Sequence, residues 1–287
     1  MVSAVAYGLI AAFGWGIADY LAKHSSDRIG YFRTTLFMQT GGAGFIFLFS
    51  FQYLHLIAAY PVQSLETVGI GIVGTFGALA LYRGFETGRV SVVSPISSSF
   101  PALSTALAIL LLNETLSAIG GLGIAVTILG IIAISTDESI EKQHPAARLG
   151  RSVAYGGAAF VSFGITYFAL KLVVGNLGPW IPILIIRCVA ATLLAPVLIL
   201  KKPQAKSPNS TALYFIIVVA ILDSLANVSY NFGIISSNVS IVATVSALFS
   251  AVTVLLARLQ LKERLAKRQG IGILAILVGV AILSYFG

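Results

Sequence analysis

Two acidic side chains sit where a charge is expensive. Asp19 and Asp223 each fall inside an apolar stretch, whereas the other eight of the ten carboxylates lie between such stretches or at their ends. A charge at mid-bilayer costs about 2.5–3.5 kcal/mol on insertion scales, so an ionisable group kept there calls for a partner or a task. Asp223 is followed by Asn227 and Asn231 at helical spacing, with Tyr230 beside them. In a helix these give one face rich in donors and acceptors. Such a face could line a path for a polar solute; the plainer reading is a hydrogen-bonded seam between helices. Asp19 lies four residues after Trp15 and four before Lys23, again one face, and close enough to the end of its stretch to be half-solvated or paired with Lys23.

Further polar groups recur in other stretches. Ser91, Ser94 and Ser98 share a face of a segment that also holds Pro95 and Pro101. Each proline frees a backbone carbonyl, which a cavity or a neighbouring helix must satisfy. Ser246, Phe249 and Ser250 occupy comparable places much later in the chain. Tyr167 joins the candidate pathway residues, and Arg187, about eight residues into its stretch, is placed to meet a substrate carboxylate, Asp19 or Asp223. Lys171 lies near a stretch end, where it can snorkel. The candidate solute-contacting set is therefore Trp15, Asp19, Ser94, Ser98, Tyr167, Arg187, Asp223, Asn227, Tyr230, Asn231 and Ser246.

Enzyme chemistry finds little support. There is no H-E-x-x-H, no G-x-S-x-G, no Gly-rich phosphate loop and no Asp-rich metal motif. The single cysteine, Cys188, lies in an apolar run, and His24, His55 and His144 are far apart. Neither a disulfide framework nor a Cys/His metal cluster follows, and no cofactor is implied. The absence of a nucleotide loop argues against direct ATP drive.

The elements that must hold these side chains are read from hydropathy. Of 287 residues 57% are hydrophobic and only 10% charged, and the mean hydropathy is +0.96. Soluble domains carry about 25% charged residues. Lipid is the solvent that suits such a chain. Apolar stretches fall near 2–22, 31–53, 65–85, 90–112, 117–135, 151–172, 179–200, 211–234, 236–257 and 267–286. In lipid each must satisfy its own backbone, which predicts helices. Runs such as Ile271–Tyr285 do not alternate, which argues against barrel strands. The fold class expected is an all-α integral membrane protein with ten transmembrane helices. Lys23–Arg28, Tyr60–Pro61, Asn113–Glu114, Asn176–Pro179, Lys201–Asn209 and Lys262–Arg268 read as its breaks, and 136–151 is the longest charged linker.

That linker divides two similar halves. A shift of 149 places Gly84 on Gly233, Ser91 on Ser240, Phe100 on Phe249, Glu114 on Glu263, Gly121 on Gly270, Gly123 on Gly272 and Gly130 on Gly279. Earlier in the halves the register drifts: Phe13-Gly14 falls on Phe163-Gly164 at a shift of 150, and Arg33 on Arg187 at 154. Five helices is an odd number, so the second copy enters the membrane from the opposite side. This gives an inverted repeat, with the solute site expected between the halves. The expected organisation is a first five-helix repeat over 1–135, a linker over 136–150 and a second repeat over 151–287. Gly71, Gly74, Gly77, Ala78 and the Gly123/Gly130 and Gly272/Gly279 pairs are expected to allow close helix approach.

With an arginine early in the second helix of each half, the turns Leu112-Asn113-Glu114-Thr115-Leu116 and Leu261-Lys262-Glu263-Arg264-Leu265, and a glycine-spaced last helix after each turn, the chain resembles the EamA-type family of the drug/metabolite transporter superfamily. Asn113 and Lys262 stand where that family usually has glycine. The resemblance implies a ten-helix exporter or permease for small metabolites, often amino acids or related compounds, working by alternating access. Proton coupling through Asp223 is one expectation. A multidrug efflux carrier is the nearest alternative, and a membrane-embedded enzyme, a channel or a structural subunit the more distant ones. Glu114 and Glu263 fit a turn role, accepting from free amides at the start of the next helix. The expected partners are a small solute, the bilayer and a coupling proton or ion, with no nucleic acid; a homodimer is compatible with the reading.

The net charge of +8 reports topology rather than nucleic-acid binding. Of 18 Lys and Arg residues, all but Lys171 and Arg187 sit in or beside loops that follow odd-numbered stretches. The positive-inside rule then places those loops in the cytoplasm and both termini outside a cell membrane. The resemblance alone would favour termini inside.

Overall fold

The computed structural model describes residues 2–112, 117–135, 146–201, 210–236, 242, 245–260 and 267–286. The turn residues Glu114 and Glu263, and most of the expected linker, lie outside them. The described residues fold into helices α1 (Val2–Ile29), α2 (Tyr31–Ser50), α3 (His55–Ala59), α4 (Pro61–Thr87), α5 (Val90–Ser98), α6 (Phe100–Leu112), α7 (Ala118–Ser135), α8 (Ala146–Leu177), α9 (Ile181–Lys201), α10 (Ser210–Ser236), α11 (Phe249–Gln260) and α12 (Lys267–Phe286), with a 3-10 turn at Phe51–Tyr53. Five described stretches are long and apolar enough to cross a bilayer: Tyr31–Tyr53, Pro61–Thr87, Leu149–Leu177, Ile181–Leu200 and Ser210–Ile235.

The outer surface carries large apolar side chains such as Phe13, Leu48, Phe76, Leu129, Leu200 and Leu274. A water-soluble domain would bury most of these. Inside, hydroxyls fold back on their own helices. Thr67 donates to Gln63 O at 2.7 Å, Thr75 to Gly71 O at 2.6 Å and Thr127 to Gly123 O at 2.9 Å. This satisfies each hydroxyl where water is absent.

Helix boundaries differ from the expected breaks for local reasons. The polar segment Lys23–Arg28 is helical, since Lys23 Nζ meets Asp27 Oδ1 at 2.6 Å and Arg28 donates to His24 O at 2.9 Å. The helix stops at Gly30, whose φ of 83° lies in the left-handed region that favours glycine. The fourth apolar stretch is two helices. Pro101 sits in the first turn of α6, where its missing N–H costs nothing, and Ser99 forms the break. The same break recurs at Ala247–Leu248 before α11, where there is no proline.

The two halves pack as exchangeable copies. Five pairs of elements correspond: α1 with α8, α2 with α9, α4 with α10, α5–α6 with α11, and α7 with α12. Exchanging the members of every pair turns each principal contact into another one. The α1–α10 contact becomes α8–α4, α4–α9 becomes α10–α2, and α1–α11 becomes α8 against α5–α6; α2–α9, α5–α11 and α7–α12 map onto themselves.

Close approaches at glycine fix the residue register. A Cβ on Gly84 would lie 3.0 Å from Tyr155 Cβ and 3.0 Å from Val93, and one on Gly233 would lie 3.3 Å from Tyr7 Cβ and 2.7 Å from Val242. One on Gly8 would meet Val245 and Val242 O, and one on Gly156 would meet Ile96 and Val93 O. Positions 84/233, 93/242 and 96/245 differ by 149, as the sequence suggests, but 7/155 and 8/156 differ by 148. Gly16 against Val252 and Gly164 against Leu103 repeat this offset. The alignment of Phe13-Gly14 with Phe163-Gly164 is therefore two residues out; Trp15 corresponds to Phe163, and Asp19 to Tyr167. Gly41 meets Ala220 as Val189 meets Gly71, so the same offset holds in α2 and α9. Gln39, not Arg33, stands at the place of Arg187.

The expected glycine contacts at the far end are present. A Cβ on Gly130 would lie 2.7 Å from Gly272 O, and one on Gly279 would lie 2.7 Å from Gly123 O, so α7 and α12 touch backbone to backbone.

Candidate functional site

A cavity of about 110 Å³ opens between the two halves. It has room for several waters or a small solute. Its lining comes from both halves, and much of it falls into repeat-related pairs: Trp15 with Phe163, Asp19 with Tyr167, Gln39 with Arg187, Gly74 with Asp223, Ala78 with Asn227, and Phe100 with Phe249. The cavity thus lies among repeat-related elements of the two halves. Its chemistry is not symmetric. Where α10 offers a carboxylate and an amide, the repeat-related positions on α4 are Gly74 and Ala78, so those polar groups have no counterpart from the other half.

The polar wall is a connected chain. Arg187 on α9 is 2% exposed in its side chain, and its Nη2 meets Asp223 Oδ2 at 2.5 Å. Its Nη1 donates to Gln39 Oε1 at 3.0 Å and lies 3.3 Å from Met38 Sδ. Asn227 Nδ2 donates to Asp223 O at 2.8 Å and lies 3.3 Å from Asp223 Oδ2. Tyr167 then donates its hydroxyl to Asn227 Oδ1 at 3.1 Å. The chain runs from α2 through α9 and α10 to α8. The guanidinium lies against Gly42, where a Cβ would fall 2.7 Å from Arg187 Cζ. Only glycine leaves room for it there.

An aromatic cluster closes the other side. Trp15 packs against Tyr167 at 5.8 Å, Phe249 at 5.7 Å and Tyr230 at 5.8 Å between ring centroids. Phe100, at the α5–α6 break, stacks on Tyr167 at 4.4 Å. Edge-to-face and offset contacts of this kind hold rings rigidly.

Of the candidate residues, Trp15, Asp19, Tyr167, Arg187, Asp223 and Asn227 come together at this cavity. Tyr230 stands one ring behind, against Trp15 and Tyr167. Asn231 does not join the Asp223 face. Eight residues of α-helix advance about 80° beyond two full turns, and Asn231 Nδ2 donates instead to Pro179 O at 3.0 Å, tying α10 to the α8–α9 turn. Ser94, Ser98 and Ser246 are buried away from the lining. Ser98 donates back to Pro95 O at 3.0 Å, as Ser97 does to Ser94 O and Ser99 to Ile96 O, so these hydroxyls serve the proline-loosened helix itself. Asp19 is neither half-solvated nor paired with Lys23. It is 6% exposed and faces the cavity, while Lys23 pairs with Asp27. Gln39, Met38, Tyr82, Thr166, Gly74 and Ala78 also line the cavity and are not among the candidates drawn from sequence. Gln39, an amide well inside an apolar stretch, carried a usable signal; the small residues carried none.

Comparisons with known proteins follow the same division. The EamA-like transporter family matches residues 2–136 and again residues 151–285. An uncharacterized protein of Methanocaldococcus jannaschii is 31% identical over 135 residues, which are 47% of this chain and 98% of that one, so the relative is about as long as one half. A crystal structure of another protein superposes with a TM-score of 0.71 at 16% identity, covering 98% of this chain and 96% of that one, which shows a shared fold.

Proposed function

From the premise that the chain belongs to the EamA-like transporter family and is a membrane transporter, we propose that it carries a small metabolite, an amino acid or related compound, outward across the cell membrane. Transport proceeds by alternating access between two inverted five-helix halves, divided near 136–150, that cross the bilayer ten times in all. The observation that carries this reading is the cavity lined by repeat-related residues of both halves, with a connected polar chain along one side. Rocking one half against the other would open such a site to either side in turn. The solute-contacting residues in this reading are Trp15, Asp19, Gln39, Tyr167, Arg187, Asp223 and Asn227.

The Arg187–Asp223 pair sets what the site can take. Both charges are already neutralised across 2.5 Å, so this pair and Asn227 offer a dipole and an amide rather than a free ion. That arrangement suits small polar or zwitterionic solutes. Loop charge places both termini outside, which a terminal reporter active only outside the cytoplasm would bear out and one active inside would overturn.

The test is counterflow in proteoliposomes across a panel of amino acids, nucleosides and sugars. Saturable exchange is expected for at least one class, and Ala78→Trp should abolish it by filling the space opposite Asn227 while leaving the protein folded. Non-saturable leakage, or transport indifferent to Ala78→Trp, would refute the cavity as the solute site.

A further inference from the structure

The cavity wall holds one guanidinium and two carboxylates: Arg187, Asp223 and Asp19. The first two neutralise each other. Asp19 takes part in no ion pair among the described residues. It is nine-tenths buried, and its Oδ2 is enclosed with no hydrogen-bond donor among the described residues. The lysine one turn on is committed to Asp27 at 2.6 Å. An unpaired carboxylate out of water is too costly to leave bare.

The groups around Asp19 do not supply the missing charge. Asp223 on α10 lines the same cavity and carries the same sign of charge. Tyr82 on α4 and Tyr167 on α8 line it too and are not cations. Arg187 on α9 is held by Asp223 and Gln39. On α1 itself, Tyr20 donates away to Gln260 at 2.7 Å. What does face the cavity beside Asp19 is aromatic: Trp15 one turn earlier, with Tyr167 and Phe100 stacked behind it. Ring faces attract cations, more so when water is excluded.

We propose that Asp19 is a cation subsite: it binds the ammonium head of an organic amine whose apolar part rests against Trp15, Tyr167 and Phe100. A proton takes the ammonium's place on the carboxyl when the solute leaves. One positive charge replaces another, so the carboxylate is never buried alone, and solute and proton exchange through one residue. This moves the coupling role from Asp223, which Arg187 already occupies, to Asp19, and it rests on the cavity being the solute site.

The test uses the full-length protein in lipid nanodiscs, with Trp180→Phe leaving Trp15 as the one fluorophore of the two tryptophans. Three probes of one shape are titrated: phenethylammonium, 2-phenylethanol and 3-phenylpropionate. Phenethylammonium should quench Trp15 saturably, bind at least tenfold more tightly than the other two, and bind more weakly as the pH is lowered and protons compete. Asp19→Asn should weaken it at least tenfold, and Asp19→Glu should keep it. If Asp19→Asn is not recovered as monodisperse protein, Asp19→Glu and the ammonium–alcohol comparison on otherwise unaltered protein decide. Equal binding of the alcohol, no binding of the ammonium, or indifference to Asp19→Asn would each overturn the cation subsite. If the alcohol binds equally and Ala78→Trp abolishes that binding, the cavity reading survives without the cation assignment. If Ala78→Trp changes nothing, both fall.

Discussion

Replacing Asp223 by alanine strands a guanidinium that has nowhere to go. Arg187 is 2% exposed in its side chain, and its shortest contact is the 2.5 Å bond to Asp223. Its Nε has no acceptor among the described residues, and Gln39 and Met38 are neutral partners that cannot balance its charge. Removing one member of a buried ion pair costs about 3–5 kcal/mol, mostly as the penalty on the survivor. Asp223 is 21% exposed in its side chain, so water entering from the cavity relieves part of this and the lower end, about 3 kcal/mol, is expected for Asp223→Ala. That lowers the folded-to-unfolded ratio by about a hundredfold. Asp223→Asn keeps the shape and one acceptor but loses a charge-assisted bond, so about 1.5 kcal/mol is expected. The pair Arg187→Met with Asp223→Leu removes both charges and should regain most of the stability, yet it erases the polar wall and should not transport. Denaturant titration of the purified protein in detergent, run beside counterflow in liposomes, separates the two effects. Asp223→Ala as stable as the parent, or a double variant no more stable than the single one, would refute the account of a buried, mutually dependent pair.

Other outcomes follow from single contacts. Gly279→Leu should force α7 and α12 apart, because a Cβ there would fall on Thr127 and 2.7 Å from Gly123 O; a loss of about 2 kcal/mol or more in the same titration is expected. Tyr167→Phe removes the bond to Asn227 at 3.1 Å but keeps the ring stack, so stability should fall by about 1 kcal/mol while solute affinity changes more. His24, beyond the first apolar stretch, has its imidazole held below the usual 6.5 by burial and then by the Arg28 charge, with Asp27 pulling the other way. The folded protein therefore binds the proton less readily than the unfolded chain. His24 contributes stability that is full above about pH 6.5 and is lost as the pH falls through its lowered value. A denaturation series from pH 7.5 to about 5 should show this decline, and His24→Gln should flatten it.

Much of this protein was legible without coordinates. Hydropathy and the scarcity of charge called for elements that satisfy their backbone in lipid, and the long non-alternating runs made these helices rather than barrel strands. The shift of 149 announced two halves through glycines, of which Gly84, Gly233, Gly130 and Gly279 make close contacts. Asp223, Asn227 and Arg187 stood out because a polar group in an apolar stretch must be matched by something. Three matters needed the tertiary structure. The register of α1 with α8 and α2 with α9 is 148, visible only where glycines meet their neighbours, because apolar side chains facing lipid leave the alignment free to drift. Asn231 and the serines left the site because helical phase and local back-bonding, not residue type, aim a side chain. Asp19, expected to be half-solvated or paired with Lys23, is an enclosed carboxyl at the cavity, without an ion pair among the described residues. Pairing is a property of what faces a group across space: Lys23 meets Asp27 on its own helix, Arg187 meets Asp223 from another, and Asp19 meets no basic partner among the described residues.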